Sequence, residues 1–206
     1  AGYPVPDGVD LEIGGTVEDQ GDAFSDLGVL FILIVILVYI VMATQFESLK
    51  FPFIIMFTIP FAFTGVFLAL WMTSTPLSLI ALIGAIMLVG IVTKNGIVMV
   101  DYMNLLIERG SGVFDAVIAG GKSRLRPVLM TSFTTILGML PLAIGTGAGS
   151  ETWQPMGIAV IGGLTFSTIL TLFIVPVLYS ILVNRSQRKE REKLARLSAE
   201  HQASKH

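Results

Sequence analysis

A lysine and an asparagine interrupt an otherwise apolar run, Ile91-Val-Thr-Lys-Asn-Gly-Ile-Val-Met-Val-Asp-Tyr102. If this run crosses a membrane, it carries an ionisable side chain, Lys94, into the apolar layer. A charge near the bilayer centre costs about 2.5–3.5 kcal/mol, so an intramembrane lysine needs a counter-ion or must lose its proton. We predict that Lys94 is paired and functional. Snorkelling is the alternative, but the side chain would have to cover roughly 10 Å to reach the interface.

The acids of the chain supply no direct partner for Lys94. Asp101 follows it by seven residues, which places both on one helical face but about two turns apart. The other acids near the apolar segments lie at loop positions: Glu47, Glu108, Asp115 and Glu151. We therefore expect the balancing carboxylate to come from helices outside this chain. This chain would then carry one half of the site.

The composition is typical of a membrane protein. Hydrophobic residues make up 53% of the 206 residues and charged residues only 14%. The absence of cysteine excludes disulfides and thiolate metal sites, and the two histidines, His201 and His206, lie in the last six residues. Because no nucleophile, base or set of metal ligands converges in an apolar segment, we predict no enzyme, no metal or cofactor site and no nucleic-acid partner.

Five segments are long and apolar enough to cross a bilayer, which needs about 20 residues. They cover 27–46, 52–72, 77–105, 127–145 and 155–183. Pro60, Pro141 and Pro176 are expected to kink their helices, and the run 113–118 predicts a short helix on the cytoplasmic interface. The predicted fold class is an all-α membrane protein, a bundle of five transmembrane helices.

The N-terminal 25 residues predict a short β-type extracytoplasmic segment. A Pro-Asp-Gly turn precedes the alternating Val9, Leu11 and Ile13, which is the pattern of a strand. One strand cannot form a domain, and the chain starts at Ala1 without a methionine, so we expect a longer polypeptide. The predicted division is 1–25 as the end of an extracytoplasmic domain, 26–184 as five transmembrane helices and 185–206 as a cytoplasmic tail.

The basic residues predict the orientation. They follow the first, third and fifth apolar segments, whereas the N-terminal segment and the loops after the second and fourth segments have none. By the positive-inside rule, the N-terminal segment is outside and the tail is cytoplasmic. Lys94 is the one basic residue outside this pattern. A channel or passive scaffold is an alternative class, although we find neither a pore lining nor a repeated polar stripe.

Five motifs occur in order between Ala43 and Tyr179. They are Ala43-Thr-Gln-Phe-Glu-Ser-Leu, the Lys94 run, Arg124-Leu-Arg-Pro-Val-Leu-Met-Thr-Ser, Pro141-Leu-Ala-Ile-Gly-Thr-Gly-Ala-Gly-Ser and Val175-Pro-Val-Leu-Tyr. Together they resemble the C-terminal membrane half of the resistance-nodulation-cell division transporters, most closely the hydrophobe/amphiphile efflux branch. The resemblance covers nearly the whole chain, and the ordered set of motifs is far more specific than any one of them.

The resemblance implies a proton-driven exporter in which this chain forms the last five of twelve helices. Members of the family are similar in assembling as inner-membrane trimers, with a periplasmic adaptor and an outer-membrane channel as partners. Their lysine at the position of Lys94 pairs with aspartates on a helix of the N-terminal half. The cargo would be amphiphilic compounds, with lipid-like compounds as an alternative. The Thr-Lys-Asn motif argues against the heavy-metal branch.

The resemblance also implies roles for Asn95, Arg124 and Thr131, each of which has a simpler interpretation. Thr131 on spacing alone is expected to bond a carbonyl one turn back, and Arg124 could serve only as a topology determinant. Asp101 is expected near the cytoplasmic interface, either solvated or beside a water-lined proton route. The residues assigned to proton coupling are Lys94, Asn95, Arg124, Thr131 and Asp101.

Overall fold

The computed structural model describes the backbone of residues 16–145, 147 and 149–203, and the side chains of residues 19–145, 147 and 149–185. Six helices make up this part of the chain. They are α1 (Thr16–Phe46), α2 (Lys50–Met56), α3 (Thr58–Met72), α4 (Leu79–Glu108), α5 (Val113–Ile144) and α6 (Ser150–Ala203). No strand occurs among these described residues, and the predicted strand around Val9 lies outside them.

Five stretches of helix are long and apolar enough to cross a membrane, which confirms the predicted all-α fold with five spans. They are Asp19–Phe46, Lys50–Met72, Leu79–Glu108, Val113–Ile144 and Ser150–Arg185. The second stretch consists of α2 and α3 together. α1 begins at Thr16, so residues 16–25, which the sequence assigned to the extracytoplasmic segment, are helical. The division of the chain into domains stays a prediction.

Pro60 lies one turn after the point where the second span divides into α2 and α3. Its ring nitrogen carries no hydrogen, so the carbonyl of Met56 loses the bond that a continuous helix would provide. α2 ends at Met56 and α3 begins at Thr58, with Phe57 between them. The hydroxyl of Thr58 donates to the carbonyl of Ile55, 2.6 Å away, and satisfies one of the acceptors near the break.

α5 is one unbroken helix, so the short helix predicted at 113–118 is the first part of a longer one. Its first turns pack against the end of α4, where Ala116 is buried and a Cβ on Gly120 would lie 2.7 Å from Met103. This contact holds the amphipathic start of α5 in line with the span that follows. The prolines inside α5 and α6 do not end either helix: Pro127, Pro141, Pro155 and Pro176.

Two clusters of buried side chains form the core. The first core cluster joins α3 to the first halves of α4 and α6, through Ala62, Val66, Leu70, Ala81, Ala85, Leu88, Val92, Ile158, Ala159 and Leu164. The second core cluster joins α1 and α2 to later parts of α4 and α6, through Met42, Ile54, Ile55, Met99, Val100, Met103, Val175 and Tyr179. Early residues of α4 meet early residues of α6, and late residues meet late ones, so the two helices run in the same direction.

α4 packs against all five other helices, and α6 packs against α2, α3, α4 and α5. Glycines bring α3 and α6 close together. A Cβ on Gly65 would lie 2.8 Å from the carbonyl oxygen of Gly162, and one on Gly163 would meet the side chain of Leu88. Gly90 of α4, by contrast, has nothing within 4 Å of its Cβ position. Small residues permit this close approach of helices in a lipid environment.

Candidate functional site

Lys94 is exposed and lines a cavity of about 170 Å³ between α4 and α5. The other residues of the lining are Ile91, Asn95, Thr131, Ser132 and Thr135. Three of the five residues that the sequence assigned to proton coupling, Lys94, Asn95 and Thr131, therefore meet at one place. We call it the Lys94 cavity.

The Lys94 cavity combines one cation with uncharged hydrogen-bond partners. The hydroxyl of Thr131 donates to the carbonyl of Val128 at 3.0 Å, the local bond that its simpler interpretation predicts. That bond uses the hydroxyl proton and leaves the lone pairs of the oxygen open as acceptors. The ammonium of Lys94 has three donors and no acceptor. Among the described side chains, none forms a hydrogen bond or ion pair with it.

Lys94 belongs to a face of α4 that no other described helix covers. Exposed residues recur on this face at intervals of three, four and seven: Ile83, Met87, Gly90, Lys94, Asp101 and Leu105. Asp101 shares the face but does not line the Lys94 cavity. No described acid lies in contact with Lys94, and the expectation that its carboxylate comes from outside this chain stays a prediction.

Arg124 lies on α5, seven residues before Thr131, and does not line the Lys94 cavity. Its guanidinium lies over the ring of Tyr102 on α4, with 4.6 Å from Cζ to the ring centroid. The Nε atom of Arg124 is buried and has no hydrogen-bond partner among the described residues. The guanidinium is thus placed by an aromatic face, at an energy of about 0.5–2 kcal/mol for such contacts.

Sequence reasoning missed several polar residues around the site. Ser132 and Thr135 line the Lys94 cavity, and Tyr102 holds Arg124. The run Thr131-Ser-Phe-Thr-Thr135 carries a signal, since it places four hydroxyl groups in five residues of an apolar span. The contact between Tyr102 and Arg124 depends on how α4 and α5 pack, and no local sequence pattern predicts it.

A larger cavity of about 740 Å³ lies towards one end of the bundle, between the end of α3, the end of α5 and the start of α6. Its lining is mainly apolar and includes Glu151 and Gln154. The amide nitrogen of Gln154 donates to the carbonyl of Ala143 at 3.0 Å, which ties the end of α5 to α6. None of the residues assigned to proton coupling lines this cavity.

The five apolar helices and the lysine on the third span define an integral membrane protein with a polar site inside its apolar layer. Comparison with known families is more specific: residues 3–183 match the AcrB/AcrD/AcrF family. The chain belongs to this family of resistance-nodulation-cell division efflux transporters. The resemblance inferred from the motifs is therefore confirmed.

The similar proteins are named for different cargoes. The chain is 39% identical to the cobalt-zinc-cadmium resistance protein CzcA of Cupriavidus metallidurans, over 90% of this chain and 18% of that protein. It is 43% identical to the multidrug resistance protein MdtC of Erwinia tasmaniensis, over 75% of this chain and 15% of that protein. A crystal structure of a heavy metal efflux pump superposes with a TM-score of 0.76 at 31% identity, covering 86% of this chain and 18% of that one. The chain thus spans less than a fifth of the relatives it matches.

Proposed function

We propose that this chain supplies the lysine side of a proton-coupling site in a proton-driven transporter that exports hydrophobic or amphiphilic compounds. The observation that carries the proposal is the meeting of Lys94, Asn95 and Thr131 at one cavity within the apolar layer. A cation in such a place is costly unless it is paired, and intramembrane ionisable groups usually mark ion pathways. The membership of an efflux family supports transport as the process that the site serves.

The partner of Lys94 in this proposal is a pair of aspartates on a helix of the N-terminal half. That helix packs against the uncovered face of α4, where Lys94 is exposed. Ionised carboxylates hold the ammonium in place by electrostatic attraction, which is strong where the dielectric constant is low. Protonation of a carboxylate from the extracytoplasmic side removes that attraction and releases the ammonium.

The released ammonium needs new acceptors, and the Lys94 cavity offers them. The oxygen of Thr131 keeps open lone pairs because its proton is used on Val128, and the amide oxygen of Asn95 lies in the same lining. Each protonation state thus favours a different position of Lys94 and of α4, which biases the conformational equilibrium of the transporter. Release of the proton into the cytoplasm ionises the carboxylate again, and Lys94 pairs with it as before.

Arg124 and Asp101 lie outside the Lys94 cavity and serve the proton route rather than the pairing itself. Asp101 is exposed on the same face of α4 as Lys94. Arg124 lies on α5 and reaches α4 through Tyr102. Asp101 is closer than Lys94 to the end of α4, and Arg124 lies in the first half of α5, the helix ends that the positive-inside rule assigns to the cytoplasm. They provide charged groups between the Lys94 cavity and the cytoplasmic surface.

The same proposal includes the setting of the transporter. The chain lies in the cytoplasmic membrane with its N-terminal segment in the periplasm and its C-terminus in the cytoplasm. The complete transporter is a homotrimer that works with a periplasmic adaptor and an outer-membrane channel. Family membership and the distribution of basic residues support this arrangement.

Metal-ion export is a second candidate, because CzcA and the heavy metal efflux pump are among the similar proteins. Within the part of the chain whose side chains are described, no three His, Cys, Asp or Glu residues gather in one place. The Lys94 cavity would serve either cargo, since it couples energy and does not bind the exported compound. The two candidates are separated by transport assays.

The test uses the full-length transporter in proteoliposomes with an imposed proton gradient. Lys94→Met is compared with Lys122→Met, which removes an exposed lysine of α5, at equal expression and confirmed assembly. We expect Lys94→Met to abolish proton-driven transport of an amphiphilic dye and Lys122→Met to keep it. Unchanged transport by Lys94→Met would refute the coupling role. Proton-driven transport of Zn²⁺ without dye transport in the wild type would favour the second candidate.

A further inference from the structure

The hydroxyl groups of Ser132 on α5 and Thr168 on α6 form a hydrogen bond of 2.9 Å in the interior of the bundle. Both residues are almost fully buried, with exposed fractions of 4% and 5%. The two positions are 36 residues apart in sequence. The bond therefore joins α5 directly to α6.

Ser132 is also part of the lining of the Lys94 cavity, beside Lys94 and Thr131. On its other side it lines a neighbouring cavity of about 120 Å³ together with Thr165 and Thr168. Ser132 thus stands between the Lys94 cavity and α6. Through it, Thr168 is connected to the Lys94 cavity without lining that cavity itself.

The bond between the two hydroxyls has two polarities, because either oxygen can be the donor. When Ser132 donates to Thr168, both lone pairs of the Ser132 oxygen are free to accept from an ammonium. When Thr168 donates to Ser132, the proton of Ser132 is free to be given to an acceptor in the Lys94 cavity. The polarity that is favoured depends on which group occupies the cavity.

We propose that Ser132 is a further acceptor for the released ammonium of Lys94 and that Thr168 is the positioning residue that orients the Ser132 hydroxyl. The inference rests on the proposed function and extends the coupling site from α4 and α5 to α6. With Lys94 held by carboxylates, Thr168 donates to Ser132. With Lys94 released into its cavity, Ser132 donates to Thr168 and accepts from Lys94. The position of Lys94 is thereby communicated to the helix that contacts four of the other five.

The sign of the expected effect follows from which state the hydroxyl pair stabilises. The pair stabilises only the state in which the carboxylates are protonated and Lys94 is released. Removing the acceptor makes that state less favourable, so a higher proton concentration is needed to reach it. Losing one hydrogen bond to a charged group changes such an equilibrium by about tenfold, which corresponds to a shift of about one pH unit towards acid.

The experiment measures dye transport by the full-length transporter as a function of pH on the side from which protons enter. Thr168→Val removes the hydroxyl with little change in shape. Thr165→Val is the matched control, since Thr165 lies one turn earlier on α6 and its hydroxyl bonds locally to the carbonyl of Ile161 at 2.7 Å. We expect the pH profile of Thr168→Val to move by about one unit towards acid. Thr165→Val and the hydroxyl-retaining Thr168→Ser should keep the wild-type profile.

A second variant allows the inference to be tested even if Thr168→Val does not fold. Ser132→Ala removes the acceptor from the Lys94 cavity and introduces no larger group, and it should reproduce the acid shift. If Thr168→Val or Ser132→Ala assembles and has the profile of Thr165→Val, the inference is wrong. If the hydroxyl variants show no acid shift but Lys94→Met loses coupling, the proposed function still holds. If Lys94→Met is also unaffected, the proposed function itself is rejected.

Discussion

The phenolic hydroxyl of Tyr179 on α6 donates a hydrogen bond to the amide oxygen of Asn104 on α4. Tyr179 is 1% exposed, and its ring stacks on that of Phe51 at the start of α2, with 5.5 Å between ring centroids. One side chain therefore ties three helices together in the second core cluster. Its hydroxyl lies where water has little access, so the bond to Asn104 is needed to satisfy it.

Tyr179→Phe should lower the free energy of unfolding by about 1 kcal/mol. The substitution keeps the ring and its stacking on Phe51 but leaves the amide oxygen of Asn104 without this donor. Denaturant titration of the full-length transporter in detergent measures the change. Tyr39→Phe is the control, because the Tyr39 hydroxyl donates to the Leu49 carbonyl over 3.3 Å at an exposed position. Equal stability of the two variants would contradict the prediction.

Tyr102→Leu should release Arg124 from the aromatic face on which it lies. We expect a loss of about 1 kcal/mol of stability and weaker proton-driven transport, because the guanidinium loses its fixed position. Tyr102→Phe keeps the aromatic face and should behave as the wild type in both measurements. If the Leu and Phe variants are indistinguishable, the ring does not position Arg124.

Gly65→Ala should destabilise the packing of α3 on α6. The added methyl group would lie 2.5 Å from Cβ of Phe166 and 2.8 Å from the carbonyl oxygen of Gly162, and the latter belongs to the backbone and cannot rotate away. Overpacking of this kind costs about 1–3 kcal/mol. Gly138→Ala is the control, since a Cβ there meets nothing within 4 Å. Thermal unfolding of the assembled transporter should separate the two, and a stable Gly65→Ala variant would show that the helices can move apart at little cost.

Ser78→Ala should weaken the start of α4. The side chain of Ser78 accepts a hydrogen bond from the backbone N–H of Ala81 at 3.2 Å, and its own φ and ψ are extended, as expected for a residue that caps a helix. Loss of such a cap typically costs about 1 kcal/mol. Ser123→Ala, at an exposed position within α5, should change stability far less. Hydrogen exchange at the amide of Ala81 provides a local measurement, and unaltered exchange would rule out the capping role.

The membrane spans, and the presence of a lysine without a nearby acid in one of them, could be predicted from the sequence because both are visible in local hydropathy. An apolar run of about 20 residues specifies a membrane helix whatever its neighbours are. An unmatched lysine in such a run is equally visible. The sequence predicted a kink at Pro60, because this proline removes a backbone hydrogen-bond donor. It did not show that the helix assignment would change at Phe57.

The contacts between helices could not be predicted in the same way. Side chains that face lipid and side chains that face another helix are both apolar, so hydropathy does not show which face of a span is buried. Pairings such as Ser132 with Thr168 and Arg124 with Tyr102 depend on that choice. The same limit applies to the start of α5, which is helical as predicted but belongs to one long helix that packs against Met103.

The boundary between α2 and α3 at Phe57 lies at a particular level of the bundle. In the second span it falls between Ile55 of the second core cluster and Ala62 of the first. Lys94 occupies the corresponding level of α4, between Val92 and Met99. α4 and α6 run unbroken past this level, whereas the second span lacks one backbone hydrogen bond beside it, because Pro60 has no N–H to donate. Lys94 therefore lies level with the place where the backbone hydrogen bonding of the second span is incomplete.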